Sequence, residues 1–222
     1  MSAGWSYYED ARPDVQALVN PRGLRCLDVG CGGGALAAAL KAAGAAFVAG
    51  VEYDAAAAAR ARERLDIVVE GSVLDVQLPF AESAFDLIVF ADVLEHLADP
   101  DAALRRCLPL LAPGGQVVVS VPNMRFWLIL WRLAADRWEY ADHGVRDRTH
   151  LRIFTRRSLL RMLDDHGLRV ELLTRNRRLL DDQSQIGRAG ALATRLVVAT
   201  LARWPFRDLL AYQYVVVARR AA

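Results

Sequence analysis

Leu27-Asp28-Val29-Gly30-Cys31-Gly32-Gly33-Gly34-Ala35 is the stretch that decides the fold of this 222-residue chain. It contains the end of an apolar run of strand length, residues 24–29, and leads into residues 35–43, which are rich in strong helix formers. The four glycines between them permit positive φ angles and a close approach of a ligand to the backbone. A helix that begins at such a turn presents unpaired N–H groups to that ligand.

The glycine spacing alone leaves the ligand open. Gly30-x-Gly32-x-x-Ala35 also satisfies the dinucleotide fingerprint, and Glu52, about twenty residues further on, can hold a ribose in either case. A glycine turn can also serve only the tight packing of a strand against a helix. The choice between these readings depends on the segments that follow.

Those segments alternate between strand-like and helix-like patterns. Strand patterns fall near 24–29, 46–51, 66–70, 85–91 and 115–121, and helical patterns near 34–43, 54–64 and 100–111. The alternation predicts an α/β fold with a Rossmann-like, doubly wound and mostly parallel sheet. The last third predicts a helix over 155–166 and two strands over 168–174 and 212–218, which we expect to pair as an antiparallel C-terminal hairpin.

Composition fits one domain over residues 1–222. The chain is 54% hydrophobic, enough for a sizeable core, and its net charge is +2. That balance gives no global attraction to nucleic acid, and we expect no nucleic-acid partner. The three cysteines show neither disulfide-framework nor zinc spacing, and the first ten residues lack a leader pattern, so we expect a cytoplasmic setting.

No apolar run in the chain reaches the length that crosses a bilayer. The longest, 190–204, contains Arg195 and Arg203 and falls short of the roughly 20 residues that a spanning helix needs. It predicts a helix packed on the sheet or, as the alternative, an amphipathic helix in peripheral contact with a membrane.

Five segments in register resemble the class I S-adenosylmethionine-dependent methyltransferases over about residues 24–166. They are the glycine motif at 28–34, the acidic strand end at 50–54, the adenine-contacting segment at 71–80, the fourth strand with its following motif at 85–96, and the entry into the fifth strand at 111–120. A nicotinamide enzyme would not be expected to carry the last three. The resemblance implies a seven-stranded sheet and S-adenosylmethionine as the cofactor.

The resemblance also assigns cofactor contacts. Asp28 is placed to attract the ammonium of the methionine end, and Glu52 to accept from both ribose hydroxyls. Ser72, with the Val73 backbone, would face the adenine where the family often has Asp, so we expect weaker recognition from that side chain. The remaining cofactor contacts are expected from Gly30, Cys31, Gly32, Tyr53 and Ala91.

The candidate catalytic groups lie in Asp92-Val-Leu-Glu95-His96, at the carboxyl end of the fourth strand. On a helix or turn, Asp92, Glu95 and His96 share one face. The segment is similar to the Glu-x-x-Glu-His motif of the ubiquinone-pathway O-methyltransferases and of the small-RNA 2′-O-methyltransferases, which implies Mg²⁺ or another divalent cation held by Asp92, Glu95, His96 and the downstream His150. The same pattern also occurs in methyltransferases without a metal. In that case His96 or His150 is the candidate general base, and Asp92 an accompanying catalytic residue.

The acceptor is expected to bind an insertion over 123–154, between a cofactor-binding half at 24–122 and a sheet-completing part at 155–222 that includes a variable helix over 187–204. Its segments 137–140 and 147–155 look like a bacterial methyltransferase subfamily associated with polysaccharide and glycoconjugate assembly. This predicts O-methylation of a hydroxyl on a sugar or similar small polar acceptor. The alternative is a quinone-like or lipid phenol at the membrane surface; RNA methylation and a non-catalytic cofactor-binding partner are less favoured.

Overall fold

Five parallel strands alternate with helices in the computed structural model of the chain, which describes residues 10–176 and 206–220. The strands are β1 Arg25–Val29, β2 Phe47–Glu52, β3 Ile67–Glu70, β4 Phe85–Ala91 and β5 Leu111–Pro122. Their central positions are mostly buried and rich in Val, Leu and Ile, as expected where helices cover both faces of a parallel sheet. The predicted alternation of strand and helix is confirmed.

Six α-helices and three short 3₁₀ turns are present among the described residues. The helices are α1 Pro13–Gln16, α2 Ala35–Ala42, α3 Ala55–Ala61, α4 Pro100–Cys107, α5 Trp127–Ala134 and α6 Arg156–Asp165. The turns are Leu94–His96, Leu108–Leu110 and Phe206–Leu210. The predicted helix over 100–111 ends early, at Cys107, because Pro109 lacks the N–H that a continuing helix needs. The helix predicted over 54–64 likewise ends at Ala61.

The C-terminal strands complete a seven-stranded sheet. β6 Leu168–Asn176 and β7 Gln213–Arg220 pair antiparallel, and β7 also pairs antiparallel with β5. The strand order is β3-β2-β1-β4-β5-β7-β6, with β7 alone running against the others. This confirms the predicted Rossmann-like sheet with its C-terminal hairpin.

The strand β5 begins four residues before its predicted start. Leu111 lies opposite Phe85, and regular pairing resumes at Gln116 opposite Leu87, so the ladder is irregular between the two points. Pro113 and Gly114 occupy that irregular stretch, and a sequence pattern that excludes such residues from strands misses the first part of β5.

The predicted helix within 187–204, and with it the membrane contact proposed for 190–204, lies outside the described residues. Among residues 10–176 and 206–220, no helix is both long enough and apolar enough to span a membrane.

The sheet topology places the candidate site. The chain runs from β1 outward to β2 and β3 and then returns to β4 on the other side of β1, so the direction of strand addition reverses there and a crevice opens at the carboxyl ends of these strands. Val29, the last residue of β1, pairs with Val51 on one side and Phe90 on the other. The glycine turn, the acidic end of β2 and the segment after β4 therefore share one edge of the sheet.

Candidate active site

The glycine turn after β1 has the backbone conformation that its sequence predicts. Gly30, Gly32 and Gly34 have φ angles of 71°, 54° and 81°, in the region where residues with a Cβ are strained. A Cβ at Gly30 would lie 2.4 Å from the Val93 side chain. The turn is fixed to the next strand because the N–H groups of Gly30 and Cys31 donate to the Val51 carbonyl at 2.7 and 3.1 Å.

Glu52 ties the end of β2 to this turn. Its carboxylate accepts from the Gly32 N–H at 2.8 Å through Oε2 and from the Asp54 N–H at 2.9 Å through Oε1. Only 3% of the residue is exposed, and burial raises the pKa of Glu52, while these two N–H groups limit the rise. The two oxygens together have four lone-pair sites, so the carboxylate can still accept from a further donor.

Asp28 is the second buried acid at this edge. Burial and the neighbouring Glu52 carboxylate raise the pKa of Asp28 to about 7, although the Arg12 guanidinium lowers it. The residue is 2% exposed. A cationic group at this position would therefore favour the ionised carboxylate.

The other predicted cofactor residues differ in how much of each side chain a ligand can reach. The Cys31 side chain is buried in the core against Gly50, so this residue offers only its backbone to a ligand. Tyr53 is 72% exposed, which leaves its ring accessible. The Ser72 hydroxyl accepts from the Leu74 N–H at 3.2 Å. Val73 is buried, and Ala91 pairs with Ser120 at the end of β4.

Arg12, which the sequence analysis missed, lies beside these acids. Its guanidinium donates to Asp92 at 2.7 Å, to Asp14 at 2.9 Å and to the Ser120 hydroxyl at 2.9 Å, and the residue is 5% exposed. Two of these partners lie 80 and 108 positions away in the sequence. No local pattern around Arg12 indicates them.

The structure separates Asp92 from the other predicted metal ligands. Asp92 has a φ of 57°, so it lies outside the Leu94–His96 turn and does not share a face with Glu95 and His96 as the predicted helical spacing requires. Its carboxylate instead accepts from Arg12, from the Ser120 hydroxyl at 2.7 Å and from Gln213. Asp92 is therefore a partner of the buried arginine.

Glu95, His96 and His150 do come together, and we call them the imidazole cluster. One ligand atom from each lies within 4.8 Å of the others, and the two imidazole rings pack edge to face with centroids 4.7 Å apart. Burial raises the pKa of Glu95 well above its usual range, and the nearby Asp92 charge adds to the rise. Burial and the His96 ring lower the pKa of His150. Among the described residues, Glu95 Oε2 has no hydrogen-bond partner.

His150 reaches the cluster because its loop docks on the 94–96 turn. The N–H groups of Leu151 and Arg152 both donate to the Glu95 carbonyl, at 2.8 and 2.9 Å. His166, by contrast, lies at the end of α6, where its ring contacts the Met162 carbonyl at 2.9 Å. It belongs to the helix terminus and not to the cluster.

The sequence that builds this edge of the sheet matches a known protein family. Residues 5–173, more than half of the chain, match the family described as Methyltransferase domain. The chain belongs to the class I S-adenosylmethionine-dependent methyltransferases. Ubiquinone biosynthesis O-methyltransferase from Neisseria meningitidis serogroup C is 32% identical over 174 residues, which cover 72% of this methyltransferase and 73% of the relative.

Two further comparisons limit what can be inferred from this similarity. The relative of the same name from Xanthomonas axonopodis pv. citri is 35% identical over 116 residues, so this methyltransferase spans about half of that relative's length, 47%. A solved S-adenosylmethionine-dependent methyltransferase from Mesorhizobium loti superposes with a TM-score of 0.66 at 22% identity, covering 95% of this chain and 98% of the other. At that identity the superposition supports the shared fold.

The sheet edge fits S-adenosylmethionine. Glu52 is a buried carboxylate that accepts from the Gly32 and Asp54 N–H groups, and ribose hydroxyls would add donors to its oxygens. Asp28 is a buried acid that a ligand ammonium would stabilise in its charged form. The glycine turn offers backbone where a side chain would block approach. The residues present therefore suit the cofactor that the family uses.

Proposed function

We propose that this methyltransferase methylates a phenolic hydroxyl of a quinone-like acceptor, with His96 as the general base. The observation that carries the proposal is the imidazole cluster at the carboxyl end of β4, beside the strand that ends in the cofactor turn. The relatives named for ubiquinone biosynthesis support the acceptor class. The sugar acceptor that the sequence ranks first has no such support.

Acidity also favours a phenol over a sugar. A phenol titrates near pH 10, as the tyrosine side chain does, whereas an alcohol hydroxyl is a much weaker acid. A neutral imidazole is therefore a better-matched base for a phenol than for a sugar hydroxyl. The cluster contains two imidazoles, and burial lowers the pKa of His150, which favours its neutral form.

Each proposed role follows from the chain's own groups. The cofactor, when bound, supplies an electrophilic methyl group on a sulfonium. Glu52 holds the ribose hydroxyls and Asp28 the ammonium, so these residues fix the position of the methyl group. His96 accepts the proton of the acceptor hydroxyl and then releases it to solvent. The remaining contacts of Gly30, Cys31, Gly32, Tyr53, Ser72, Val73 and Ala91 with the cofactor, as the sequence assigns them, stay part of the proposal.

The segment that carries His150 also exposes apolar side chains that suit a lipid-like acceptor. Trp131 is 54% exposed, and Trp138 and Tyr140 pack edge to face, 5.9 Å apart, with 36% and 63% exposed. Single exposed apolar side chains are common on protein surfaces, but three large ones this close together in the chain indicate a surface that binds an apolar group. An isoprenoid tail would cover such surface at a gain of roughly 25 cal/mol per Å².

The acceptor class is tested with purified protein, methyl-labelled S-adenosylmethionine and matched acceptors. We expect methylation of a prenylated catechol, slower methylation of the same catechol without its tail, and no methylation of a hexose glycoside. Mass spectrometry of the products locates the methyl group. Methylation of the glycoside alone would restore the sugar interpretation. Transfer to RNA, or no transfer to any acceptor despite cofactor binding, would favour the two remaining alternatives.

A divalent cation at the imidazole cluster is a second candidate, and it is an alternative to His96 as the base, because an imidazole nitrogen bound to an ion cannot also accept a proton. The observation that favours it is the buried Glu95 carboxyl, whose Oε2 lacks a hydrogen-bond partner among the described residues. One possible metal-ligand atom of this carboxyl and one from each of the two imidazoles lie within 4.8 Å of one another. A cation would stabilise the charged carboxylate, and two imidazoles with one carboxylate suit several divalent ions. Asp92 does not belong to this ligand set because Arg12 holds it.

The cation is tested by binding and by activity. We expect Mn²⁺ titrated into chelator-treated protein to give an electron paramagnetic resonance signal of bound ion that Glu95→Gln removes. Unchanged Mn²⁺ spectra, together with full activity after chelation, would exclude the ion and leave His96 to act as the base without it.

A further inference from the structure

The loop that carries His150 contacts the cluster through a second set of side chains. The loop starts at Ala141, whose backbone forms a bridge with Asp147 within the loop itself. It is held to the rest of the molecule at two points: the Val145 N–H donates to the Tyr212 hydroxyl at 3.2 Å, and the Leu151 and Arg152 N–H groups donate to the Glu95 carbonyl. The side chains of Asp147 and Thr149 lie between these two anchors, next to His96.

A chain of hydrogen bonds joins these three side chains. Thr149 Oγ1 lies 2.9 Å from His96 Nδ1 and 2.7 Å from Asp147 Oδ1. Asp147 Oδ1 also accepts from the Thr149 backbone N–H at 2.8 Å. Asp147 is 5% exposed and its own N–H donates to the Gly144 carbonyl at 2.9 Å, so the acid is held on both sides.

The direction of each hydrogen bond follows from proton counting. The Thr149 hydroxyl has one proton, and Asp147 Oδ1, which already accepts an N–H, is its acceptor. The hydroxyl therefore has only a lone pair to offer to His96. The bond to His96 Nδ1 then requires that Nδ1 carries the proton, which leaves the lone pair on Nε2.

We propose that Asp147 and Thr149 are positioning residues that hold the neutral His96 ring in its Nδ1–H tautomer, so that Nε2 is the basic nitrogen. The inference deepens the proposed function, since it rests on His96 being the base. It also gives the acceptor loop a chemical role, because docking of the loop orients and polarises the base as well as contributing His150.

His150 provides an internal contrast. Burial and the His96 ring lower the pKa of His150 more than the Asp147 charge and the Val145 backbone raise it, and in the part of the chain that the structure describes no relay of side chains reaches this ring. An imidazole orienter that ends on a carboxylate stabilises the imidazolium formed during proton transfer better than one that ends on a neutral carbonyl. The relay therefore favours His96 over His150 as the base.

The tautomer is measured directly, without any acceptor, by ¹⁵N NMR of histidine-labelled protein. The chain has four histidines, and the His96 signals are assigned by their loss in His96→Gln. At a pH where the ring is neutral, we expect a protonated Nδ1 and an unprotonated Nε2. Thr149→Val removes the acceptor for Nδ1–H and should move His96 toward the Nε2–H tautomer, whereas Thr149→Ser should keep the native pattern.

Asp147→Ala is the sharper variant. Without the carboxylate, the Thr149 hydroxyl can rotate and donate to Nδ1, which would invert the His96 tautomer. We expect kcat with the catechol to fall about 10–100-fold in Thr149→Val and in Asp147→Ala, the range seen when partners of functional imidazoles are removed. Thr149→Ser should stay within about threefold, and affinity for S-adenosylhomocysteine should not change in any of the three variants.

The outcomes separate this inference from the proposed function. An Nε2–H tautomer in the unaltered protein would overturn the relay, whatever the acceptor proves to be. An Nδ1–H tautomer that persists in Thr149→Val would overturn it as well. A native Nδ1–H pattern in a protein that methylates no phenol would uphold the relay and reject the proposed acceptor. Thermal unfolding shows whether each variant still folds. If a variant does not fold, the spectrum of the unaltered protein still decides between the two tautomers.

Discussion

The sheet edge at Gly30, Gly32, Asp28 and Glu52, which we call the cofactor edge after its proposed ligand, and the imidazole cluster are built in different ways. At the cofactor edge, consecutive strands of the sheet bring Gly30, Gly32 and Glu52 together, largely through backbone N–H groups and carbonyls. At the cluster, side chains more than fifty positions apart meet because a loop docks on a short turn, as His96 and Thr149 do. The difference predicts that substitutions at the first region weaken binding, and that substitutions at the second remove catalysis.

The largest expected effect is at the cluster. His96→Gln removes the proposed base, and we expect kcat at saturating cofactor and acceptor to fall about 10²–10⁴-fold, the usual contribution of general base catalysis. His166→Gln is the matched control, because that ring contacts the Met162 carbonyl and Asp101 and lies outside the cluster. Steady-state rates with the prenylated catechol make the comparison. Equal losses in the two variants would remove His96 from the chemistry.

A smaller effect, on binding, is expected at the cofactor edge. Glu52→Gln replaces the proposed charged acceptor of the ribose hydroxyls, and hydrogen bonds to charged groups contribute about 1.5–3 kcal/mol. We expect the Kd for S-adenosylhomocysteine to rise about 10–100-fold, with kcat at saturating cofactor within about threefold of the unaltered value. Calorimetric titration measures the Kd. Glu171→Gln, on the outer strand β6, is the control, and an equal change there would contradict the assignment.

Asp28 gives the cofactor edge a pH dependence. Burial and Glu52 raise the pKa of Asp28 to about 7 in the cofactor-free protein, and a bound ammonium favours the ionised form, so binding should release a proton below that pH. Affinity for S-adenosylhomocysteine should therefore increase about tenfold between about pH 6 and pH 8. Calorimetry in two buffers of different ionisation enthalpy counts the protons. Asp28→Asn should abolish the release, and proton uptake on binding would show that Asp28 does not face the ammonium.

The smallest expected effect is at the adenine side. Ser72→Asp introduces the acid that the family often has there. The Leu74 N–H, which donates to the Ser72 hydroxyl, can then donate to one oxygen of the new carboxylate. A charge-assisted bond to the adenine edge should lower the Kd for S-adenosylhomocysteine about two- to fivefold, since such bonds are roughly twice as strong as neutral ones. The same titration measures it, and weaker binding would place the adenine elsewhere.

The cofactor edge could be predicted from the sequence because its geometry follows from local patterns. Strands, glycine turn and acidic strand end all lie in their predicted order, and the register of parallel strands brings Glu52 to Gly32 without further information. The same patterns also predict all seven strands in their order along the chain, including the C-terminal pair.

The cluster could be predicted only in part. The helical spacing that grouped Asp92 with Glu95 and His96 assumes a regular helix, and the positive φ at Asp92 breaks it, a conformation that Asp tolerates better than most residues. Arg12 then binds Asp92 across 80 positions, and Thr149 binds His96 across 53. Such pairings depend on how loops pack, and no periodicity in the sequence carries that information.

The separation of binding from chemistry is tested most directly by one titration. S-adenosylhomocysteine is titrated calorimetrically into the double variant His96→Gln, His150→Gln, which keeps the cofactor edge and lacks both imidazoles of the cluster. The account predicts a Kd within about twofold of the unaltered protein in a variant that transfers no methyl group to the catechol. A Kd that rises tenfold or more would show that the two regions form a single binding site and would contradict it.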